Sequence, residues 1–242
     1  NRWYDFGLGK GGNIIALAEE LYATDYVPYL LNKIAERVPH IRPVSFSFRQ
    51  QSSEPSFQQL EVGELTHPAL LRYLQERGIN TDLARLECKG LHFIHNGKPY
   101  FAIGFPNVAG GYEVRNPYYK GCLKNKDVSL ISHTHGETQG HVCVFEGFMD
   151  FLSYMTLRQA GDREICLEVP CDHLVMNSVN NLKKALGHLQ EYPFIHCYLD
   201  NDLAGQKTVE TIAMLFTGKV NNEAYRYDGY KDLNDYLRGK RR

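Results

Sequence analysis

The sequence is short of several things, and each absence closes off a class of explanation. No apolar stretch approaches the roughly 18 residues that a membrane helix needs, and no charged-then-apolar leader opens the chain, so neither a membrane span nor secretion is expected. There is no excess of either charge. The 27 Lys and Arg stand against 28 Asp and Glu, for a formal net charge of -1, so any site for a polyanion must be local. No two of the six cysteines form a Cys-x-x-Cys pair. Scattered at Cys88, Cys122, Cys143, Cys166, Cys171 and Cys197, they read as reduced thiols of a cytoplasmic protein. The single tryptophan, Trp3, reads as a core residue, and because the chain opens on Asn1 rather than Met a fragment or a processed product is expected.

What is present suffices for a substantial core: 242 residues, 43% of them hydrophobic, form either one large α/β domain or two smaller units. Apolar residues recur at helical spacing from Ile14 to Leu21 and from Val27 to Val38, predicting two helices. The stretch "PHIRPVSFSFRQQSSEPSFQQLEVGEL" then carries three prolines and a Gln/Ser-rich patch. It reads as a linker, with a boundary near Ser52 to Glu64. In "THPALLRYLQERGIN" a helix is expected, with Thr66 as N-cap, Pro68 in the first turn and Gly78 at the end. Two strands joined at Asn96-Gly97 are expected in "LHFIHNGKPYFAIGF", and further strand in "GYEVR". From Asp127 onward the pattern changes to strand-then-helix alternation: "VSLI", "HVCVF", "HLVMN", "FIHCYL" and "AYRYD", most followed by a helical pattern. That is the signature of a parallel α/β sheet with crossover helices. The expected domains are a helical segment 1–52, an α+β subdomain 64–126 and a parallel-sheet domain 127–238.

Ligands of such sheets gather beyond the carboxyl ends of the strands, so the acids found there matter most. They are Glu146 after "HVCVF", Asp200 and Asp202 after "FIHCYL", and Asp232, Asn234 and Asp235 after "AYRYDGYK". Converging carboxylates repel one another, and a bound cation relieves this. Oxygen ligands without thiolate favour Mg²⁺ or Mn²⁺. Any one of these acids is equally readable as a helix cap. Ala204-Gly205 after "DND" allows a close backbone approach, which suits a phosphate or a metal. A calcium loop is excluded, because Ala204 and Thr211 stand where it needs oxygen ligands. A phosphatase of the haloacid-dehalogenase type remains an outside alternative.

"VFEGFMD", "YLDNDLAG" and "KDLND", in this order, resemble the Toprim domain, and "ALLRYLQERGINTDLARLECKGLHF" with "KPYFAIGFPNVAGGYEVRNPYYKG" is similar to the subdomain before Toprim in DnaG-type primases. The resemblance implies a Rossmann-like Toprim sheet with flanking helices behind a small α+β subdomain. It also implies Mg²⁺-dependent synthesis of RNA primers from ribonucleoside triphosphates on single-stranded DNA. Glu146 would be the essential glutamate, as metal ligand or general acid/base. Asp150 would be structural, Asp200 and Asp202 would bind metal, and Asp232 would complete the cluster. Asn234 stands where the family commonly has a second aspartate, which would weaken a second metal. "NRWYDFGLGKGGNIIALA" looks like the tail of a primase zinc-ribbon domain with Asp5 and Leu8 in place of cysteines, so no zinc is expected, as in primase-like proteins of mobile elements.

A helicase or relaxase is the implied partner. A Toprim nuclease and a non-catalytic accessory of replication or mobilisation are the alternatives. Nucleic acid is expected at Arg115, Lys120, Lys124 and Lys126, interleaved with Tyr118 and Tyr119, although a solvated loop has the same composition. The histidines His133, His135 and His141 read as surface or core residues rather than a zinc site.

Overall fold

A computed structural model of the chain describes residues 3–5, 10–12, 14–22, 24, 29–30, 33–34, 36, 57–132 and 139–242. They belong to two compact units, Asn1–Ser53 and Glu54–Arg242. In the first, β1 (Trp3–Asp5) pairs antiparallel with β2 (Lys10–Gly12), and α1 (Ile14–Tyr22) follows where apolar spacing placed it. Asp5 ends β1. Leu8, most of the expected helix Val27–Val38, and the Pro/Ser-rich stretch as far as residue 56 lie outside the described residues.

The second unit starts with β3 (Gln58–Gly63), a strand inside the expected linker. The sequence hid it because it is an edge strand: only Leu60 turns toward packed neighbours, and its register against β4 (Lys89–His95) breaks between Gln58 and Glu61. Helix α2 (Pro68–Glu76) begins one residue later than expected. His67, not Thr66, is the N-cap, its Nδ1 accepting the Ala69 N–H at 3.2 Å. At its far end Gly78 adopts φ +73°, and the Ile79 and Gly78 N–H groups donate back to the carbonyls of Leu74 and Gln75. This paired closure satisfies carbonyls that the helix leaves open. Asn80 caps α3 (Thr81–Glu87) through bonds from the Asp82 and Leu83 N–H groups.

An antiparallel meander of β3, β4, β5 (Lys98–Pro106), β6 (Tyr112–Arg115) and β7 (Lys120–Leu123) follows. The β4–β5 hairpin turns at Asn96 (φ 50°) and Gly97 (φ 71°), the two positive-φ residues that a tight two-residue turn requires.

The second sheet has the order β12–β11–β9–β10–β8, from β8 (Ser129–Ile131), β9 (His141–Phe145), β10 (Asp172–Val175), β11 (Phe194–Tyr198) and β12 (Val220–Asn222). All its pairings are parallel except β8 with β10. Helices α4 (Phe148–Gln159), α5 (Leu182–Leu189) and α6 (Leu203–Leu215) follow β9, β10 and β11, and α7 (Leu233–Leu237) closes the fold. Alternate strand residues bury on opposite faces. Val142, Val144, Ile195 and Cys197 pack with Ala185, Leu189, Val209 and Ile212 of α5 and α6. Cys143, Phe145, Val175 and Tyr198 pack with Phe151 and Leu152 of α4 and with Leu70 and Leu74 of α2. Burial on both faces is why these strands read as unbroken apolar runs.

Ile103 and Phe105 of β5 belong to that second cluster, and Phe105 stacks on Phe148 with ring centroids 5.2 Å apart. The antiparallel sheet thus reaches into the core of the parallel one, while Leu91, Phe93, Ala102, Val114 and Leu123 form a separate cluster within it.

One expected strand is corrected. "AYRYD" contains a 3₁₀ turn, Ala224–Tyr227, and the edge strand is the preceding Val220–Asn222. Its aromatic and β-like composition serves burial instead: Tyr227 is buried, stacks with Tyr198 at 6.5 Å, and donates its hydroxyl to the Leu199 carbonyl at 2.8 Å.

Candidate active site

The parallel strands deliver three groups to one edge of their sheet. Glu146 directly follows β9, Asn177 lies two residues past β10, and Asp200 lies two past β11. They line a single cavity together with Asp150, Lys231 and Asp232, and with Arg77, Glu113, Arg115 and Lys120 from the antiparallel subdomain. Asp232 reaches it by a route absent from any local pattern. Asn201, between the two aspartates of "DND", points its Nδ2 at the carbonyls of Ala224, Tyr227 and Tyr230 at 3.2–3.3 Å, and its N–H donates to the Lys231 carbonyl at 2.7 Å. That one amide pins the 224–231 segment against the end of β11 and so sets Asp232 beside Asp200.

The cavity is electrostatically tense. Burial, then the charges of Asp200 and Asp202, push the Glu146 carboxyl up to about 7, with Lys120 and Lys231 opposing. Burial and the neighbouring Asp232 and Asp200 raise Asp150 well above the carboxylate range, although its Oδ1 accepts the Asn234 N–H at 3.3 Å. Asp200 is raised too, first by burial. Burial pulls the Lys231 ammonium down, but Asp200 and Asp232 outweigh it and hold it firmly protonated. Its Nζ lies 3.3 Å from Asp200 Oδ2 and 4.0 Å from Asp232 Oδ2.

Four side-chain atoms of cavity-lining residues are buried without a hydrogen-bond partner: Arg77 Nε, Glu113 Oε1, Glu146 Oε2 and Asn177 Oδ1. Unpaired polar atoms of this kind cost free energy unless a ligand answers them. Among the described residues no three acidic, histidine or cysteine side chains converge tightly enough to enclose a metal ion as they stand. The donor set nonetheless suits a hard divalent cation. Its atoms are carboxylate oxygens, one of them the unpartnered Glu146 Oε2, and an ammonium already takes a cation's place between Asp200 and Asp232.

Several expected site residues stand elsewhere. Asp202 does not line the cavity. Its Oδ1 caps α6 by accepting from the Ala204 and Gly205 N–H groups at 2.9 and 3.0 Å, and it acts on Glu146 and Asp200 through its charge. The close approach allowed by Gly205 is to the protein itself, since a Cβ there would sit 2.0 Å from the Asp200 carbonyl oxygen. Asn234 does not line the cavity either, although its Oδ1 is buried without a partner. It is fully buried and its Nδ2 donates to the Arg77 carbonyl and to Ser153 Oγ, tying α7 to α2 and α4. Of the basic segment, Arg115 and Lys120 face each other across β6 and β7 and line the cavity, while Lys124, Lys126, Tyr118 and Tyr119 do not. Tyr118 is 96% exposed, and Tyr119 lies in a separate cleft with Phe93, His95 and Tyr100. His141 belongs to an internal chain, 3.0 Å from His196, which in turn meets Glu223 at 2.8 Å. His133 and His135 lie outside the described residues.

Glu113, Asn177 and Asn201 were not anticipated. The one local signal was the tight acid-x-acid frame around Asn201.

Residues 143–237 match the family described as Toprim-like. The second half of the chain is a Toprim-like domain. Its acids Glu146, Asp150, Asp200, Asp202 and Asp232 all lie within the matched segment. Ahead of it, residues 59–124 match a family described only as a domain of unknown function (DUF8464). No curated protein matches the chain significantly. Among solved structures, the primase fragment of the bacteriophage T7 primase-helicase protein is similar at 20% identity and a TM-score of 0.50, over 78% of this chain and 72% of that one. A primase domain chain from the T7 lagging-strand polymerase complex, with 19% identity and a TM-score of 0.47, covers 74% and 87%. The zinc-binding and RNA polymerase domains of Aquifex aeolicus primase, at 12% and 0.40, cover 98% and 70%. At these identities the likeness to the T7 fragment carries the fold alone: a Toprim-like domain behind a small α+β region.

Proposed function

We propose that this chain is a primase-like catalytic core that joins ribonucleotides on a single-stranded DNA template with the help of Mg²⁺ or Mn²⁺. The observation that carries the reading is the cavity itself, where the acids Glu146, Asp200 and Asp232 of the Toprim-like domain face Arg115 and Lys120 of the preceding subdomain. Glu146, Asp200 and Asp232 are the groups to hold the cation, with Lys231 giving way to it. A bound divalent ion supplies charge neutralisation at the triphosphate and acidifies the attacking hydroxyl. The chain's own residues do the rest. Arg115 and Lys120 hold phosphate oxygens of the incoming nucleotide, and Asp150 braces the start of α7 by accepting the Asn234 N–H. Where Asp200 and Asp232 alone hold the ion, the buried and unpartnered Glu146 Oε2 is instead the acceptor for the proton of the 3′-hydroxyl.

Transfer of a nucleotidyl group to that hydroxyl releases pyrophosphate, whereas attack of water on a phosphodiester of the DNA, with a sugar oxygen leaving, would make the same cavity a nuclease. The template runs toward the exposed basic segment with Lys124, Lys126, Tyr118 and Tyr119, and a helicase or relaxase is the partner that would deliver it.

The test supplies single-stranded DNA, the four ribonucleoside triphosphates and Mg²⁺ or Mn²⁺. Short labelled RNA is expected from the wild-type chain, and a loss of at least about 100-fold from Asp200→Ala or Glu146→Gln. Cleavage of the DNA without RNA product would replace this reading by the nuclease. Tight binding with no metal-dependent product would replace it by the accessory.

A further inference from the structure

Glu113 and Asn177 are left over by that scheme, and both are built into the cavity wall. Glu113 projects from β6 on the same face as Arg115, opposite Phe105 of β5 and Cys122 of β7. It is 5% exposed and its Oε1 has no partner. Burial raises its pKa, with the Cys122 thiol, Lys126 and Lys120 opposing, so the carboxylate sits beside cations without an ion-pair contact. Asn177 holds a left-handed backbone, φ +62°, and is 4% exposed. Its Nδ2 is fully engaged, donating to the Asp127 carbonyl at 2.9 Å and to Ser129 Oγ at 3.0 Å, while the Ser129 hydroxyl donates to the Pro106 carbonyl at 2.7 Å. The amide is therefore locked with Oδ1 as its open end, and that oxygen is buried and unpartnered at the cavity.

Two buried, unpartnered acceptor oxygens in one cavity, that of Asn177 locked in place, call for a ligand that brings donors. Phosphate cannot, having only acceptor oxygens at neutral pH, and its place is with Arg115 and Lys120. Within a nucleoside triphosphate the donor-bearing group next to the phosphates is the sugar, whose vicinal hydroxyls each offer one O–H. A buried carboxylate accepting ribose hydroxyls has a precedent in dinucleotide-binding folds, which use an acid for this purpose.

We infer that Glu113 and Asn177 form the sugar subsite of this cavity, accepting the 2′- and 3′-hydroxyls of the incoming ribonucleotide, and that Glu113 makes the chain selective for ribose. The inference rests on the nucleotidyl-transfer reading above, but its test does not depend on turnover. Equilibrium binding of ATP and of 2′,3′-dideoxy-ATP to the whole chain in Mg²⁺ reads the hydroxyls directly. A hydrogen bond to a charged acceptor is worth about 10- to 100-fold in affinity, and the wild type is expected to prefer ATP by at least that much. Glu113→Ala is expected to bring the two nucleotides within about 3-fold by weakening ATP alone, with dideoxy-ATP bound as before. Asn177→Gly, which keeps the left-handed backbone, is expected to lose part of the preference. Glu113→Gln keeps an acceptor oxygen at nearly the same volume. It should retain an intermediate preference, and it serves as the folded control if the alanine variant melts early.

Equal binding of the two nucleotides by the wild type, alongside normal primer synthesis, would overturn the sugar subsite and leave the function standing. So would a Glu113→Ala that weakens both nucleotides alike, as a cation ligand would. Failure of the wild type to bind either nucleotide would overturn both proposals.

Discussion

At Glu146, burial and the charges of Asp200 and Asp202 lift the carboxyl from an ordinary value near 4.5 to about 7. Between those two pH values the folded chain binds more protons than the unfolded one, so stability is greatest below the window and falls as pH rises through it. Glu146→Gln removes the ionisation. In metal-free buffer the variant is expected to melt higher than the wild type at pH 8 and at nearly the same temperature at pH 5. Added Mg²⁺ at pH 8 should raise the wild type much more than the variant. Thermal melts followed by circular dichroism across that range decide it, and a gap independent of pH would mean that the charge of Glu146 is not what destabilises the site. Lys231 belongs to the same balance, because its ammonium offsets Asp200 and Asp232.

Between elements, the decisive joint is the start of α6 against the end of β11. Asp202 caps the helix, Asn201 holds the 224–231 segment, and Gly205 lets the first helical turn lie against the Asp200 backbone. A methyl group at Gly205 would have to occupy the position of a carbonyl oxygen, so strand end and helix must separate. Gly205→Ala is expected to cost at least about 2 kcal/mol in urea denaturation and to weaken Mg²⁺-dependent stabilisation as Asp200 shifts. Unchanged stability would show that the joint can slide without penalty. Gly147, the N-cap of α4, has no such constraint, for a Cβ there would meet only Asp150 Oδ2 at an ordinary 3.5 Å.

Across the whole second unit, the cavity forms where β5 of the antiparallel sheet packs into the core of the parallel one. Phe105 of the antiparallel sheet lies against Phe148 and Phe151 of α4, centroids 5.2 and 5.7 Å away, and α4 begins where Glu146 ends. Phe105→Ala should cost about 3–5 kcal/mol and reduce nucleotide binding although the ring does not line the cavity. Hydrogen exchange should show β5 and β9 losing protection together, and separate loss would mean that the sheets open independently.

The local sequence determined most of the elements. Apolar runs bounded by Gly, Asn and Asp mark β9, β10 and β11, the Asn96-Gly97 pair marks its hairpin, and acids placed just past apolar strands announce Glu146 and Asp200, because strand period and turn chemistry are written within a few residues. The edge strands β3 and β12 were not legible, since a strand with one packed side chain or three residues leaves no alternation to read. Nor was the division of labour among the polar residues. Asp202 and Asn234 stand outside the cavity that Asp200 and Asp232 line because of what folds against them, and Glu113, Asn177 and Lys120 meet those acids only when residues far apart in the chain pack around Phe105. Burial, orphaned hydrogen-bond atoms and shifted proton affinity are properties of that assembled environment, and tertiary structure alone decides them.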